Sequence, residues 1–202
     1  MNLSLLFLSI GLLGGQISTV SLFGLHTSFL DIAVIILLVT TALQQKKRFI
    51  PPHWAPFLGF TGATLLSIVL HAQEVPIQWS VMGTLYAIRF MIYAAIYWVA
   101  SSETFKKNQL VVPLIVSGVG IALLGLLQFF LYPDLRNLYY LGWDPHLGRL
   151  FSTLLDPNFA GILFVFTALG LLGVYQKKRN LAFIVLAIVL PALVLTYSRK
   201  LS

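Results

Sequence analysis

Two arginines stand where polar sequence meets apolar sequence: Arg149, in Gly148-Arg149-Leu150-Phe151-Ser152-Thr153, and Arg199, after Leu195-Thr196-Tyr197-Ser198. A guanidinium keeps its charge at any working pH and offers a planar fork of N–H donors that fits two phosphate oxygens at once. Two such groups at one membrane surface suit a diphosphate, above all a diphosphate leaving group. Between them, Asp156-Pro157-Asn158 has the form of a helix start: a capping side chain beside a proline that needs no N–H partner. The positive dipole end and free N–H groups of that helix are expected to face the same anion. Each feature also has a plainer structural reading, as an aromatic interfacial loop with solvated charges and as an arginine that snorkels to anchor its helix end.

Arg89 is the third cation of interest. It sits about 12 residues into an apolar run, near a bilayer midplane at roughly 1.5 Å per residue, where even low insertion scales charge arginine about 2.5 to 3.5 kcal/mol. It must therefore face the bundle interior or a wet cavity. Tyr86, Tyr93 and Tyr97 share its helical stripe, which serves equally as a helix-helix hydrogen-bond network or as a substrate contact. Gln128 is a weaker case of the same kind, able simply to bond a neighbouring backbone. Other chemistries lack their signatures: no phosphate-binding glycine loop, no His/Glu metal helix, no nucleophile elbow. Asp134, Asp144 and Asp156 are irregularly spaced, and His26, His53, His71 and His146 are isolated, so no metal and no cofactor is expected.

These residues need a membrane frame. Hydrophobic residues make up 58% of the 202-residue chain, charged residues 9%, and mean hydropathy is +0.91, which marks an all-α integral membrane protein. Apolar runs predict about seven spans in one transmembrane domain over 1–202, near residues 3–23, 28–44, 54–71, 77–100, 110–131, 158–175 and 181–198. The net charge of +7 is not a nucleic-acid signal here, because eight of the 13 basic residues fall in alternate links. They are Lys46, Lys47, Arg48, Lys106, Lys107, Lys177, Lys178 and Arg179, and the positive-inside rule puts them and the N-terminus in the cytoplasm. Residues 132–157 and the end of the last span then face outward. Trp54, Trp79 and Trp98 read as interfacial anchors. Gly14/Ser18, Gly59/Ala63 and Gly118/Ala122 read as small pairs for close helix packing.

With these motifs in this order and topology, the chain resembles the N-terminal half of the O-antigen ligase family, which includes O-antigen ligases and polymerases. The resemblance rests on Gly148-Arg149-Leu150-Phe151-Ser152-Thr153, on Asp156-Pro157-Asn158-Phe159-Ala160-Gly161, and on Leu195-Thr196-Tyr197-Ser198-Arg199. It implies a multi-pass glycosyltransferase of the cytoplasmic (inner) membrane that moves a glycan from an undecaprenyl-diphosphate carrier to an acceptor hydroxyl at the outer face. By that resemblance Arg149 and Arg199 would bind the donor diphosphate, with Asp156, Asn158, Arg89 and Gln128 in support. The family generally has about twelve spans and an outer-loop histidine that assists the acceptor. Neither is present, and Lys200-Leu201-Ser202 departs from the family's continuation, so a truncated chain, inactive alone, is expected. The alternative is a transporter or flippase component for lipid-linked sugars, with Arg89 and its tyrosines along the path.

Overall fold

The computed structural model describes residues 3–22, 25–45, 50–105, 107–142, 144–175 and 179–197. Among them are seven α-helices: α1 (Leu3–Gly14), α2 (Phe29–Gln44), α3 (Ala55–Leu70), α4 (Ile77–Ser101), α5 (Lys107–Leu131), α6 (Pro157–Tyr175) and α7 (Arg179–Thr196). From α2 onward they follow the apolar runs closely. Three are long and apolar enough to cross a membrane: α4, α5 over Gln109–Leu131, and α7. The others are apolar but shorter in their described parts. Of the basic residues expected to orient the chain, Lys46, Lys47, Arg48, Lys106, Lys177 and Lys178 lie outside the described residues, as does the side chain of Lys107.

The first apolar run departs from a single helix over 3–23. Helix α1 ends at Gly14, a 3-10 turn covers Gly15–Ser18, and β1 (Thr19–Leu22) pairs antiparallel with β2 (Leu25–Ser28), Val20 opposite Thr27. Gly15 makes the break, with its backbone left-handed at φ +50° and a Cβ there 2.5 Å from the carbonyl oxygen of Thr153. Glycine alone fits both demands. Beyond it the β-branched Thr19, Val20 and Thr27 favour strands. Ser28 then starts α2 with a reciprocal cap: its hydroxyl accepts from the Asp31 N–H while the Asp31 carboxylate accepts from the Ser28 N–H.

The helices pack as neighbouring pairs, α1 on α2, α3 on α4 and α6 on α7, with α2 against α4 and α5 against α1, α6 and α7. Ile121 and Ala122 of α5, Phe164 and Leu171 of α6, and Ala182, Val185 and Val189 of α7 form the larger core. Gly118 lets α5 approach α6 here, because a Cβ would collide with Thr167, whose own hydroxyl is turned back to the Leu163 carbonyl. The expected small pair Gly118/Ala122 is thus used. Gly59 meets nothing within 4 Å, so its pair with Ala63 makes no close contact among the described residues, and Gly14 and Ser18 touch each other within one turn. Leu5, Leu37, Val99 and Phe105 form a second, smaller cluster that Trp98 joins. Trp79 is 67% exposed, and Trp54 opens α3 with its ring 5.4 Å from Phe57.

Arg89 has an internal partner. Its Nε donates to Asp31 Oδ1 and its Nη2 to Asp31 Oδ2, both at 2.8 Å, and the Tyr93 hydroxyl donates to Oδ1 at 2.8 Å. The Ser28 hydroxyl donates to Oδ2 at 3.0 Å. One carboxylate therefore closes the cap of α2, neutralises the cation in α4 and joins the two helices. An ion pair amid apolar helices holds only when its remaining lone pairs are satisfied, as here. Replacing Asp31 by Asn, or Arg89 by Met, should each destabilise the detergent-solubilised chain by roughly 3–5 kcal/mol, because a charge is left without its partner. Thermal unfolding should show the Asp31→Asn/Arg89→Met double variant losing clearly less than the two single losses summed; strictly additive losses would contradict the pairing.

Candidate functional site

Residues 132–156 fold against the end of the bundle formed by the last turns of α5 and α7 and the first turn of α6. The loop first closes on itself, with the Leu135 N–H donating to the Pro145 carbonyl at 2.8 Å and the Gly148 N–H to the Pro133 carbonyl at 3.1 Å. Gly148 turns the chain at φ +61°, a conformation that suits a residue without Cβ. Leu150 and Phe151 then enter the interior and are almost wholly buried. Gly125 of α5 makes room for Leu150: a Cβ there would sit 2.5 Å from the leucine Cδ2.

Residues 149–151 lie outside any helix and Ser152 only opens a short 3-10 turn over Ser152–Leu154, so their polar groups need partners from elsewhere. The Gln128 side chain supplies two, its Oε1 accepting from the Phe151 N–H at 3.1 Å and the Ser152 N–H at 3.2 Å. Its Nε2 donates to the Tyr132 carbonyl at 2.6 Å. The Ser152 hydroxyl donates to the Ile121 carbonyl at 2.7 Å, and the Leu150 N–H to the Leu195 carbonyl at 3.0 Å. The segment is therefore stitched to α5 on one side and α7 on the other. Ser152 and Leu155 both adopt left-handed backbone, at φ 53° and 54°, a costly state for non-glycine residues that these bonds hold in place.

Arg149 emerges from this stitched segment. Its Nε donates to the Thr196 carbonyl at 2.8 Å and its Nη2 to Asn158 Oδ1 at 3.3 Å. The cation thus covers a carbonyl at the negative end of α7, a favourable placement for arginine, and reaches across to the start of α6. A guanidinium only donates, so the Asn158 amide must turn its oxygen inward and leave its NH₂ as a donor on the far side. Arg149 Nη1 makes no hydrogen bond with a described residue. Nη1 and the Asn158 amide form the donor pair that this corner can offer an anion.

The start of α6 differs from the expectation of free N–H groups. Asp156 Oδ1 accepts from the Asn158 N–H at 2.6 Å and from the Phe159 N–H at 3.3 Å, and its carbonyl accepts from the Ala160 N–H at 3.1 Å. Asp156 is the helix cap, and it places negative charge where an anion would have to approach. The cap expected at Asp156 is present, and it occupies N–H groups that were expected to remain free.

The other expected residues divide. Arg199, with Ser198, lies outside the described residues, as does Trp143. Arg89 belongs to the Asp31 network in α2 and α4, apart from this corner. Arg136 pairs with Asp134 at 2.8 Å. That hydrogen bond first, and the carboxylate charge second, raise its pKa above the ordinary arginine value, so it stays cationic. The His146 ring is largely buried, with Nδ1 3.6 Å from a carboxylate oxygen of Asp144, too long for a hydrogen bond. Ser152 carried no signal of its own in the sequence. Comparison of the chain with protein-family models, with curated proteins and with solved structures finds no match.

Replacing Gln128 by Leu removes both acceptors for the Phe151 and Ser152 N–H groups. Each buried donor left unpaired costs about 1–3 kcal/mol. Trypsin cleavage after Arg149 should therefore accelerate at least about tenfold, while the helices keep their circular dichroism. An unchanged cleavage rate would show that the stitching does not hold the segment.

Proposed function

We propose that this chain is the N-terminal part of a membrane glycosyltransferase similar to the O-antigen ligases. In this reading it lies in the cytoplasmic membrane as a seven-span bundle with its N-terminus inside, and the corner around Arg149 faces the outer surface. The observation that carries the proposal is the placement of Arg149, where the start of α6 and the end of α7 meet. Its Nε bonds the carbonyl of Thr196, and the chain reaches Arg199 three residues later.

The donor would be a glycan on undecaprenyl diphosphate. In the transfer, the acceptor hydroxyl oxygen bonds to the anomeric carbon and gives its proton to water or to the departing diphosphate, while the carbon's bond to the diphosphate oxygen breaks and the bonding electrons leave with the diphosphate. Arg149 Nη1, the Asn158 amide donor and Arg199 would stabilise the growing negative charge, which is the largest electrostatic demand of such a step. The Asp156 carboxylate opposes an anion held directly on the helix N-terminus, so the diphosphate is assigned to the side-chain donors. Arg89, already engaged with Asp31, lends less to a transport path across the midplane.

The test uses the full chain in nanodiscs with undecaprenyl diphosphate as the probe. Arg149→Gln and Arg199→Gln should each weaken binding about 10- to 100-fold, from a charge-assisted contact of roughly 1.5–3 kcal/mol. Because Arg149 also caps α7, thermal unfolding is followed in parallel. Folded variants that bind the lipid as the unsubstituted chain does would sink the reading.

A further inference from the structure

A second concavity lies at the same end of the bundle, on the α1 and α5 side of the stitched segment. Its volume is about 610 Å³, and neither Arg149 nor any residue of α6 or α7 lines it. Its wall is a single stripe of α5, Leu124, Leu127 and Leu131, with Leu135 and Leu138 closing it from the loop. Leu127 and Leu131 are 56% and 73% exposed. The cleft is therefore open along the side of an apolar helix, with no water-facing wall separating it from surrounding lipid.

Polar groups line the end near the 3-10 turn after α1. Most are committed: the Thr19 hydroxyl donates to the Gln16 carbonyl at 2.7 Å, and Gln128 and Ser152 are held by the stitching. The Thr153 hydroxyl has no hydrogen-bond partner among the described residues but is enclosed against Gly15 and out of reach of a ligand. The Gln16 carboxamide differs, since it lines the cleft, is partly buried and makes no side-chain hydrogen bond with a described residue. Among the described residues, no Lys, Arg, His, Asp or Glu lines the cleft. A charged head drawn in here would lose hydration and gain no counter-charge, whereas a neutral hydroxyl or ester can both donate to and accept from an amide.

We propose that this cleft is a binding site for a neutral amphipathic lipid of the monoacylglycerol class. Its apolar chain lies along Leu124, Leu127 and Leu131, and its uncharged head bonds the Gln16 carboxamide. The cavity has the size and largely apolar lining of ordinary small-molecule sites. The site is separate from the diphosphate corner and stands whether or not that corner binds a donor.

The experiment reconstitutes the full chain in nanodiscs and labels it with a photoreactive monoacylglycerol. Unlabelled monoolein, oleate and oleoyl-lysophosphatidylglycerol serve as competitors, and a photoreactive hydrocarbon without a head is the reference. Saturable labelling is expected within residues 16–19 and 124–138, with monoolein competing at least about tenfold better than either anion. Leu127→Trp, at a position exposed enough to accept the larger ring, should fill the cleft and cut labelling at least about tenfold. Gln16→Leu should weaken the monoacylglycerol about fivefold, the worth of one hydrogen bond, and leave hydrocarbon labelling unchanged. Labelling that never saturates and spreads over α3 and α6, anions that compete as well as monoolein, or a Gln16→Leu chain that binds normally would each overturn the proposal.

Discussion

A peptide group amid apolar side chains must find a hydrogen-bond partner, and this requirement shapes the non-helical parts of the fold. Inside a helix the partner is four residues away. Residues 149–151 leave the helical pattern and Ser152 only begins a 3-10 turn, while Leu150 and Phe151 are buried, so the N–H groups of residues 150–152 must borrow acceptors from other elements. Gln128 provides two, Leu195 a third, and Ser152 returns a donor to the Ile121 carbonyl. These bonds fix the loop to α5 and α7 together, and the position of Arg149 follows from them. The proposed chemistry depends on this because a cation on a loose loop would lose much of its binding free energy to ordering.

The described arginines of interest obey the same economy of charge. Arg89 is neutralised by Asp31, which also caps its own helix and receives the Tyr93 hydroxyl. Arg149 is only partly satisfied, by a helix-terminal carbonyl and an amide oxygen, neither of which carries a full negative charge. The difference separates their roles. A fully paired cation fastens helices, whereas one held by neutral acceptors keeps net charge that an anion can still meet. Asp156 limits that attraction by occupying the N–H groups of α6.

Helices α2 to α7 were legible because each apolar run is bounded by proline, basic residues or a capping side chain, so length and polarity agree. The hairpin over 19–28 was not. Its residues are apolar enough to prolong a span, and what stops the helix is the approach of Gly15 to Thr153, a contact between distant parts of the chain. The Arg89 stripe was recognised, yet its partner was hidden by a separation of 58 residues and by the place of Asp31 in a helix cap. Gln128 looked incidental for a similar reason: the groups it serves are 23 and 24 residues ahead. Gly59 shows the converse, since spacing made it a contact residue and the structure leaves it open. Local pattern reported which segments are helices, and long-range pairing decided how the site is held.

The segment carrying Arg149 is held in place before any ligand arrives. Hydrogen exchange of the unliganded chain in nanodiscs, resolved at residues 150–152, tests this most directly. These amides, held by Gln128 and Leu195, should exchange nearly as slowly as those in the middle of α5. Exchange at the rate of an open loop would contradict it, since Gln128 and Leu195 would then not be holding the segment and the geometry assigned to Arg149 would not exist in the free protein.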